Sequence, residues 1–415
     1  MDILNIMSGP GRLLIGEEEK KELLDVIETG HLFRFGGEQD PKFKRKVVSF
    51  EDEIKKQFNV KYCVAVTGGS MALLTSMAAL GIGPGDDVIV PGYTFVATIS
   101  AIIYSRAVPI LAEIDESLTI DPDDIEKKIT DRTKAILPVH MLGNPSNMDK
   151  ILAVAKKHNL FVIEDCAQAL GASYKGKRVG TIGNIGAYSL NHMKVISSGD
   201  GGAVVTNDYD LYHRAFGFHD QGHLPSRFGE EIGKRAIIGL NLRMNELTGA
   251  VALAQVRKLD YILSTLRAKK KKLKEMIKDI PGIKFRKIND EAGECATLLT
   301  LLFDDKKTAD KFTAKLGTQT LYHSGWHVYN HMEQILNKKL PTRVGCPFKC
   351  KEHGKDVEYK QHMLPRTDDI LSRAVNISIG VVDKGLGASF GINILSSDSE
   401  IEAAAEKIKK VMSEL

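Results

Sequence analysis

The chain has 415 residues, of which 43% are hydrophobic and 27% are charged, close to the averages for a globular protein. Its 57 basic and 53 acidic residues leave a formal net charge of +4, which gives no reason to expect a nucleic-acid partner. The five cysteines form no regular framework, and no apolar stretch approaches the roughly 20 residues that span a bilayer. We therefore expect a cytoplasmic protein without a membrane segment.

The first two thirds of the chain predict an alternating α/β pattern. Apolar residues at helical spacing predict helices at 17–29 and 47–58, and from Tyr62 short apolar runs alternate with helical stretches. Such alternation is typical of a mostly parallel sheet covered on both faces. The predicted strands are 62–66, 87–90, 108–112, 135–139, 160–164, 185–190 and 203–206, and the helices between them are 70–80, 94–105, 122–128 and 148–158.

The last third predicts a second structural unit. A long helical region at 245–280 is expected to bridge to it. Beyond that region, strand 297–303 and helices 309–316 and 399–412 indicate a smaller α+β fold. We therefore expect a large domain at 12–260 and a small C-terminal domain at 261–415.

Two predicted strand ends carry candidate binding groups. Asp165 ends an apolar run, which places it at the carboxyl edge of the sheet, where open α/β folds bind ligands. Gly68, Gly69 and Ser70 lie between a strand and a helix, where exposed N–H groups bind phosphate. Taken alone, each stretch also fits a structural role, as a helix cap or a common helix opening.

A third strand end adds a candidate nucleophile. Ser189 and Lys194 follow the strand at 185–190, just before a glycine-rich loop. A lysine that is desolvated in an α/β cleft loses its proton and attacks a carbonyl to form an imine. Pyridoxal phosphate needs such a lysine for its aldehyde, a cradle for its phosphate and a carboxylate for its ring nitrogen. Phe95, after another strand end, is placed to cover the ring.

These motifs resemble those of the DegT/StrS-type sugar aminotransferases, which are pyridoxal-phosphate enzymes of fold type I. The resemblance runs from about residue 12 to the C-terminus. It implies an α/β fold, with a seven-stranded, mostly parallel sheet in the large domain and a smaller α+β domain. Asp200 departs from the glutamate usual in the glycine-rich loop, and Gly68-Gly69-Ser70 departs from the usual Ser-Gly-Thr. The matching stretches are Gly69-Ser70, Tyr93 to Thr98, Glu164 to Gln168, Ser189 with Lys194, Gly199 to Gly202 and Asn241 to Met244.

The resemblance also implies roles for single residues. Lys194 is expected to hold pyridoxal 5'-phosphate and to move the proton, and Asp165 is expected to pair with the ring nitrogen. Gln168 is expected near the ring hydroxyl. Asn241 is similar to an asparagine that reaches the phosphate from a neighbouring subunit, which implies a homodimer with shared active sites. The implied phosphate ligands and stacking ring are Gly69, Ser70, Ser189 and Phe95.

The implied activity is transfer of an amino group from glutamate or glutamine to a keto- or aldehydo-sugar, as in amino-sugar biosynthesis. The sequence context resembles most closely the subgroup that aminates C8 of an eight-carbon sugar acid (8-amino-3,8-dideoxy-octulosonate). Keto-cyclitols and nucleotide-linked keto-sugars are the alternative acceptors. The residues expected to contact the acceptor are Arg34, His219, His223, His323 and Trp326.

Three other functions stay open at this point. Some members of the family dehydrate sugars and carry a histidine in place of the lysine, and His192 lies two residues from Lys194. A regulatory protein could keep the fold without catalysis. Metal-ligand spacings occur at His219 and His223, and at Cys346 and Cys350 with His353. Neither forms a complete tetrahedral set, so we expect no metal.

Overall fold

A computed structural model describes residues 7–37, 39–225, 235–342, 345–349, 351–352 and 357–415. None of the helices in these ranges is long and apolar enough to cross a membrane. The helices are α1 Pro10–Leu13, α2 Glu17–Thr29, α3 Lys46–Phe58, α4 Gly69–Leu80, α5 Val96–Tyr104, α6 Pro122–Lys128, α7 Met148–His158, α8 Tyr209–His219, α9 Glu246–Arg257, α10 Leu259–Ile277, α11 Lys306–Leu316, α12 Glu333–Leu336, α13 Pro365–Ser372 and α14 Asp398–Ser413. The strands are β1 Tyr62–Val66, β2 Asp87–Pro91, β3 Val108–Ala112, β4 Thr133–Ile136, β5 Phe161–Asp165, β6 Ser173–Tyr174, β7 Lys177–Arg178, β8 Ile185–Ser189, β9 Gly202–Thr206, β10 Lys284–Phe285, β11 Leu298–Leu302 and β12 Ala374–Ser378.

Seven strands form the central sheet, in the order β1-β9-β8-β5-β4-β2-β3. The pairings from β3 through β2, β4 and β5 to β8 are all parallel. Strand β9 runs antiparallel to both of its neighbours, β8 and β1. This confirms the predicted α/β class with a seven-stranded, mostly parallel sheet.

The sheet separates two apolar cores, because successive side chains of a strand point to opposite faces. Ala65 and Val162 belong to one core, whereas their neighbours Val64 and Ile163 belong to the other. Strands β2, β8 and β9 are buried at every position, as expected of strands covered on both faces. Residues that follow the strands therefore lie at the edge of this packed sheet.

The C-terminal part forms a separate three-stranded antiparallel sheet, in the order β10-β11-β12. The helical region predicted at 245–280 is two helices, α9 and α10, that meet at Lys258. The predicted boundary at 260/261 falls inside α10. One apolar core includes residues on both sides of it, Leu253 and Leu299 among them. The division into two domains at that point stays a prediction.

Candidate active site

A cavity of about 650 Å³ lies at the carboxyl edge of the central sheet. Asp165 and Ser189, the last residues of β5 and β8, both line it. Lys194 lines it from the loop after β8, and Gly69 lines it from the first residue of α4. Its volume is in the usual range for a cofactor or small-molecule site. The structure therefore brings the three sequence motifs to one place.

Lys194 is half-buried and reaches the cavity from a short, hydrogen-bonded loop. Its backbone N–H donates to the Asn191 carbonyl at 2.9 Å. The surrounding protein desolvates the ammonium and lowers the pKa of Lys194, while the negative charges of Asp165 and Asp383 act in the opposite direction. A lysine with a lowered pKa has a larger fraction of the neutral, nucleophilic amine at neutral pH.

Asp165 lies at the floor of the cavity and is only 2% exposed. Its Oδ2 accepts a hydrogen bond from the Thr98 hydroxyl at 2.8 Å, and its Oδ1 accepts one from the Ala167 N–H at 3.0 Å. Burial raises the pKa of Asp165, and these two bonds together with Lys194 partly offset that effect. A cation placed beside this carboxylate would stabilise its charged form.

Behind Asp165, the neighbouring Glu164 anchors the end of β5. Its carboxylate accepts a hydrogen bond from His140 Nε2 at 3.0 Å. Because His140 Nδ1 accepts the Ser146 N–H at 2.9 Å, Nε2 carries the ring proton. His140, Glu164 and Cys166 lie close enough to hold a metal ion, but both ring nitrogens and the carboxylate are engaged in these bonds. Glu164 also accepts the backbone N–H groups of Gly180, Ile182 and Gly183 at 2.6–2.8 Å.

The N-terminus of α4 and the end of β8 form a cradle for an anion. The helix begins after Gly68 with no side-chain cap, so its first N–H groups are available to a ligand. A Cβ at Gly69 would lie 2.6 Å from the Ser189 Cβ, so only glycine lets the helix approach Ser189 this closely. Ser70 lines the cavity beside them. A helix N-terminus flanked by hydroxyl groups is suited to a phosphate.

Aromatic residues form the opposite wall. Phe95 lies at the start of α5, and its ring centroid is 5.2 Å from His327 and 6.5 Å from Trp326. Burial, and next the Lys194 charge, lower the pKa of His327 to about 4, so this ring is neutral at physiological pH. Gln168 lines the cavity, with its Oε1 accepting the Leu142 N–H at 3.0 Å. Its Nε2 remains as the donor for a ligand.

These groups fit pyridoxal 5'-phosphate, which the sequence motifs predict. The fit has three parts: a desolvated amine for the aldehyde, a buried carboxylate that a protonated ring nitrogen would stabilise, and an uncapped helix N-terminus for the phosphate. The close approach of Gly69 to Ser189 brings that helix N-terminus and the serine hydroxyl to the same end of the cavity.

Of the five residues expected to contact the acceptor, the structure brings one, Trp326, to the cavity, where it is 68% exposed. Arg34 is instead buried, and its Nη2 donates to both carboxylate oxygens of Glu51 at 2.9–3.0 Å. His219 is buried in the last turn of α8, and burial lowers its pKa to about 3. Neither side chain lines this cavity, because Arg34 is buried in its ion pair with Glu51 of α3 and His219 is buried in α8.

The remaining predicted residues also lie away from the cavity of their own chain. His223 is half-buried, and His323 is exposed and contacts the Tyr322 ring edge-on. Asn241 is exposed on the surface, beside the segment that pairs with the end of β1. Cys350 and His353, named for their metal-ligand spacing, lie outside the described residues.

Three further residues bear on the chemistry of the cavity. Thr98 donates to Asp165, His327 packs on Phe95, and Asp383 lines the cavity from the C-terminal part. Asp383 follows the apolar pair Val381-Val382, so it repeats the pattern of a carboxylate after an apolar run that identified Asp165. That signal was available in the sequence.

Residues 14–381 match the DegT/DnrJ/EryC1/StrS aminotransferase family. The chain is 44% identical over 223 residues to GDP-perosamine synthase of Escherichia coli O157:H7, a match that covers 53% of this chain and 60% of that protein. It is 38% identical over 228 residues to L-glutamine:2-deoxy-scyllo-inosose aminotransferase of Streptoalloteichus tenebrarius, covering 52% of this chain and 54% of that protein. The chain thus spans less than two thirds of the length of either relative.

Among solved structures, the chain is similar to 3-amino-5-hydroxybenzoic acid synthase. The TM-score is 0.78 at 25% sequence identity, and the match covers 98% of this chain and 99% of that chain. The similarity therefore extends over the C-terminal part as well as the central sheet.

Proposed function

Since the chain belongs to the DegT/DnrJ/EryC1/StrS aminotransferase family, we propose that it is a pyridoxal-phosphate-dependent aminotransferase. In this proposal it moves an amino group from glutamate or glutamine to the carbonyl carbon of a sugar-like acceptor. The observation that carries the proposal is the meeting of the desolvated Lys194 amine, the buried Asp165 carboxylate and the uncapped α4 N-terminus in one cavity.

Each cofactor contact has a residue suited to it. The Lys194 Nζ would hold the aldehyde, and Asp165 would hold the protonated ring nitrogen. The N–H groups of Gly69 and Ser70, with the Ser189 hydroxyl, would bind the phosphate. When bound, the cofactor supplies an electron sink for the carbon from which a proton is removed. Phe95 covers one wall, and the Gln168 Nε2 would donate to the ring hydroxyl.

Lys194 would also act as the general base and acid. Its neutral Nζ accepts the proton from Cα of the amino donor and later gives a proton to the acceptor carbon. The donor leaves as a 2-oxo acid, and the acceptor's carbonyl oxygen leaves as water. A lowered lysine pKa suits this role, because the group must exchange a proton near neutral pH.

The acceptor is proposed to be a polyhydroxylated ring or chain with a keto or aldehydo group. Trp326 and Phe95 offer ring faces at the cavity, which suit the apolar face of a sugar or cyclitol. One relative is a GDP-perosamine synthase and another an inosose aminotransferase, so nucleotide-linked sugars and cyclitols stand beside the octulosonate acid as acceptors. A screen of the three acceptor classes with one amino donor separates them.

We further propose a homodimer in which each subunit completes the other's site. Asn241 is exposed and lies outside the cavity of its own chain, as expected for a residue that contacts a phosphate in a partner. Its Oδ1 accepts only the nearby Arg243 N–H, at a long 3.4 Å, among the described residues.

The proposed function is tested by absorbance spectra of the purified protein supplied with pyridoxal phosphate. We expect the band of a lysine-bound cofactor, which glutamate or glutamine converts to the band of the aminated cofactor. The productive donor identifies the amino source. Lys194→Ala should lack the first band and lose transamination.

Two outcomes would contradict the proposal. One is a protein that takes up no cofactor under these conditions. The other is undiminished transamination by Lys194→Ala. A cofactor band that no amino donor alters, together with loss of water from a keto-sugar, would favour the dehydratase alternative.

A further inference from the structure

The segment 382–388 places a second carboxylate in the cavity, opposite the sheet that carries Asp165. The Oδ1 of Asp383 accepts the Gly385 N–H at 2.7 Å. Two backbone hydrogen bonds with Ala388, at 3.2 and 2.9 Å, fix the turn that carries it. The other oxygen, Oδ2, accepts no hydrogen bond from the part of the chain that the structure describes. The carboxylate is therefore held in place with one oxygen directed to other partners.

Residues 8–9 tie this segment to the loop of Lys194. Ser8 and Val382 exchange two backbone hydrogen bonds, at 3.1 and 3.0 Å. The next residue, Gly9, donates its N–H to the His192 carbonyl at 3.0 Å. A Cβ at Gly9 would overlap the Lys194 carbonyl oxygen, so the contact requires glycine. The position of Asp383 relative to Lys194 is thus set by main-chain contacts on both sides.

The charged groups around the Lys194 amine come from several elements. Asp165 faces it from β5 and Asp383 from the C-terminal segment, and both raise the pKa of Lys194 against the larger effect of burial. His327 faces it from the aromatic wall, and its pKa is lowered to about 4 by burial and by the Lys194 charge. His192, on the loop of Lys194 itself, interacts with Asp383.

The two carboxylates cannot serve the amine in the same way. In the proposed function Asp165 is committed to the cofactor's ring nitrogen. Asp383 is then the carboxylate that remains for the lysine when its amine is not attached to the cofactor. Burial raises the pKa of Asp383, and the Gly385 N–H and the Lys194 charge act against that effect, so a protonated Lys194 and an ionised Asp383 stabilise each other.

We propose that Asp383 is a positioning residue for Lys194, whose carboxylate holds the released ammonium in the cavity within reach of the reacting carbon. The inference rests on the proposed function for its role in catalysis. The influence of the Asp383 charge on the Lys194 amine is a property of the protein itself and is measured without the cofactor.

The test is the pH dependence of Lys194 acetylation in the full-length, cofactor-free protein, followed by peptide mass spectrometry under trace labelling. Only the neutral amine reacts, so the midpoint reports the lysine pKa. In Asp383→Asn the midpoint should fall by about one pH unit, because an opposite charge nearby favours the ammonium. Below the midpoint, labelling should be about tenfold faster than in wild type.

Asp200→Asn is the matched control. Asp200 also lines the cavity, and its Oδ1 accepts from the Asn191 amide at 3.2 Å, but it is not among the charges that act on Lys194. The same loss of charge there should leave the midpoint unchanged. Asp383→Glu, which keeps the charge, should stay near wild type. Asn can still accept the Gly385 N–H, so Asp383→Asn should fold; Asp383→Ser replaces it if circular dichroism shows otherwise.

An unchanged midpoint in the Asp383 variant, or an equal shift in both variants, would overturn the proposal. In the cofactor-loaded protein, Asp383→Asn should slow the half-reaction with the amino donor and shift its pH profile, with little change in donor affinity. A chain that takes up no pyridoxal phosphate would refute the proposed function. The labelling midpoint would still decide whether the charge of Asp383 acts on the Lys194 amine.

Discussion

At the scale of single residues, the buried charge of Asp165 lowers the stability of the cofactor-free protein but serves the proposed reaction. In Asp165→Asn the amide oxygen can still accept the Ala167 N–H, and the amide nitrogen can donate to the Thr98 hydroxyl oxygen, but the charge that would hold a proton on the ring nitrogen is lost. We expect the single-turnover half-reaction to slow by on the order of 100-fold to 1,000-fold, as when one preorganised electrostatic contact is removed. Thr98→Val, which keeps the charge, should cost less.

The same substitution should not destabilise the cofactor-free protein. Burial raises the pKa of Asp165 in the folded state above its value in the unfolded chain. Protonation of this group therefore stabilises the folded protein. That contribution is fully present below the pKa of the unfolded chain and is lost as pH rises through the pKa of the folded state. At neutral pH the ionised group opposes folding, so thermal unfolding of cofactor-free Asp165→Asn should occur at or above the wild-type temperature. A clearly lower temperature would mean that the carboxylate stabilises the fold.

At the scale of elements, the contact between α4 and β8 sets the phosphate cradle. Gly69→Ala should separate the helix N-terminus from Ser189, because its Cβ would lie 2.6 Å from the Ser189 Cβ. We expect affinity for pyridoxal 5'-phosphate to fall at least about tenfold, the loss of one charge-assisted hydrogen bond. Affinity for pyridoxal, which lacks the phosphate, should change much less. Gly83→Ala, whose Cβ meets nothing nearer than 3.8 Å, is the control for the substitution itself.

The helices and strands also show which parts of the site could be predicted from the sequence. The strands of the central sheet were found because they are short apolar runs that alternate with helical stretches, and the site residues Asp165, Ser189 and Lys194 lie at or just after the ends of two of them. Arg34 and His219 lie away from the cavity of their own chain, and a single sequence does not reveal that Glu51 pairs with the first and that α8 buries the second. The position of Asp383 depends in part on the pairing of residues 8 and 382, which are far apart in the chain.

At the scale of the whole molecule, the position of Asn241 bears on how many chains make one site. Its side chain is exposed on a surface that also exposes Leu240 and Phe33, 53% and 47% accessible. In the proposed homodimer this asparagine binds the phosphate held by the partner chain. Asn241→Asp should then impair the cofactor site strongly, because its carboxylate would repel the phosphate.

Mixing two inactive variants tests this arrangement. In a hybrid dimer of Lys194→Ala and Asn241→Asp, shared sites would give one site with an intact lysine and an intact asparagine. If subunits exchange freely at equal amounts, about half of the dimers are hybrids, so about a quarter of wild-type activity should return. If Asn241 served the site of its own chain, neither site of the hybrid would be intact and no activity would return. The control is a mixture of wild-type chains with chains that carry both substitutions, and it measures how far subunits exchange.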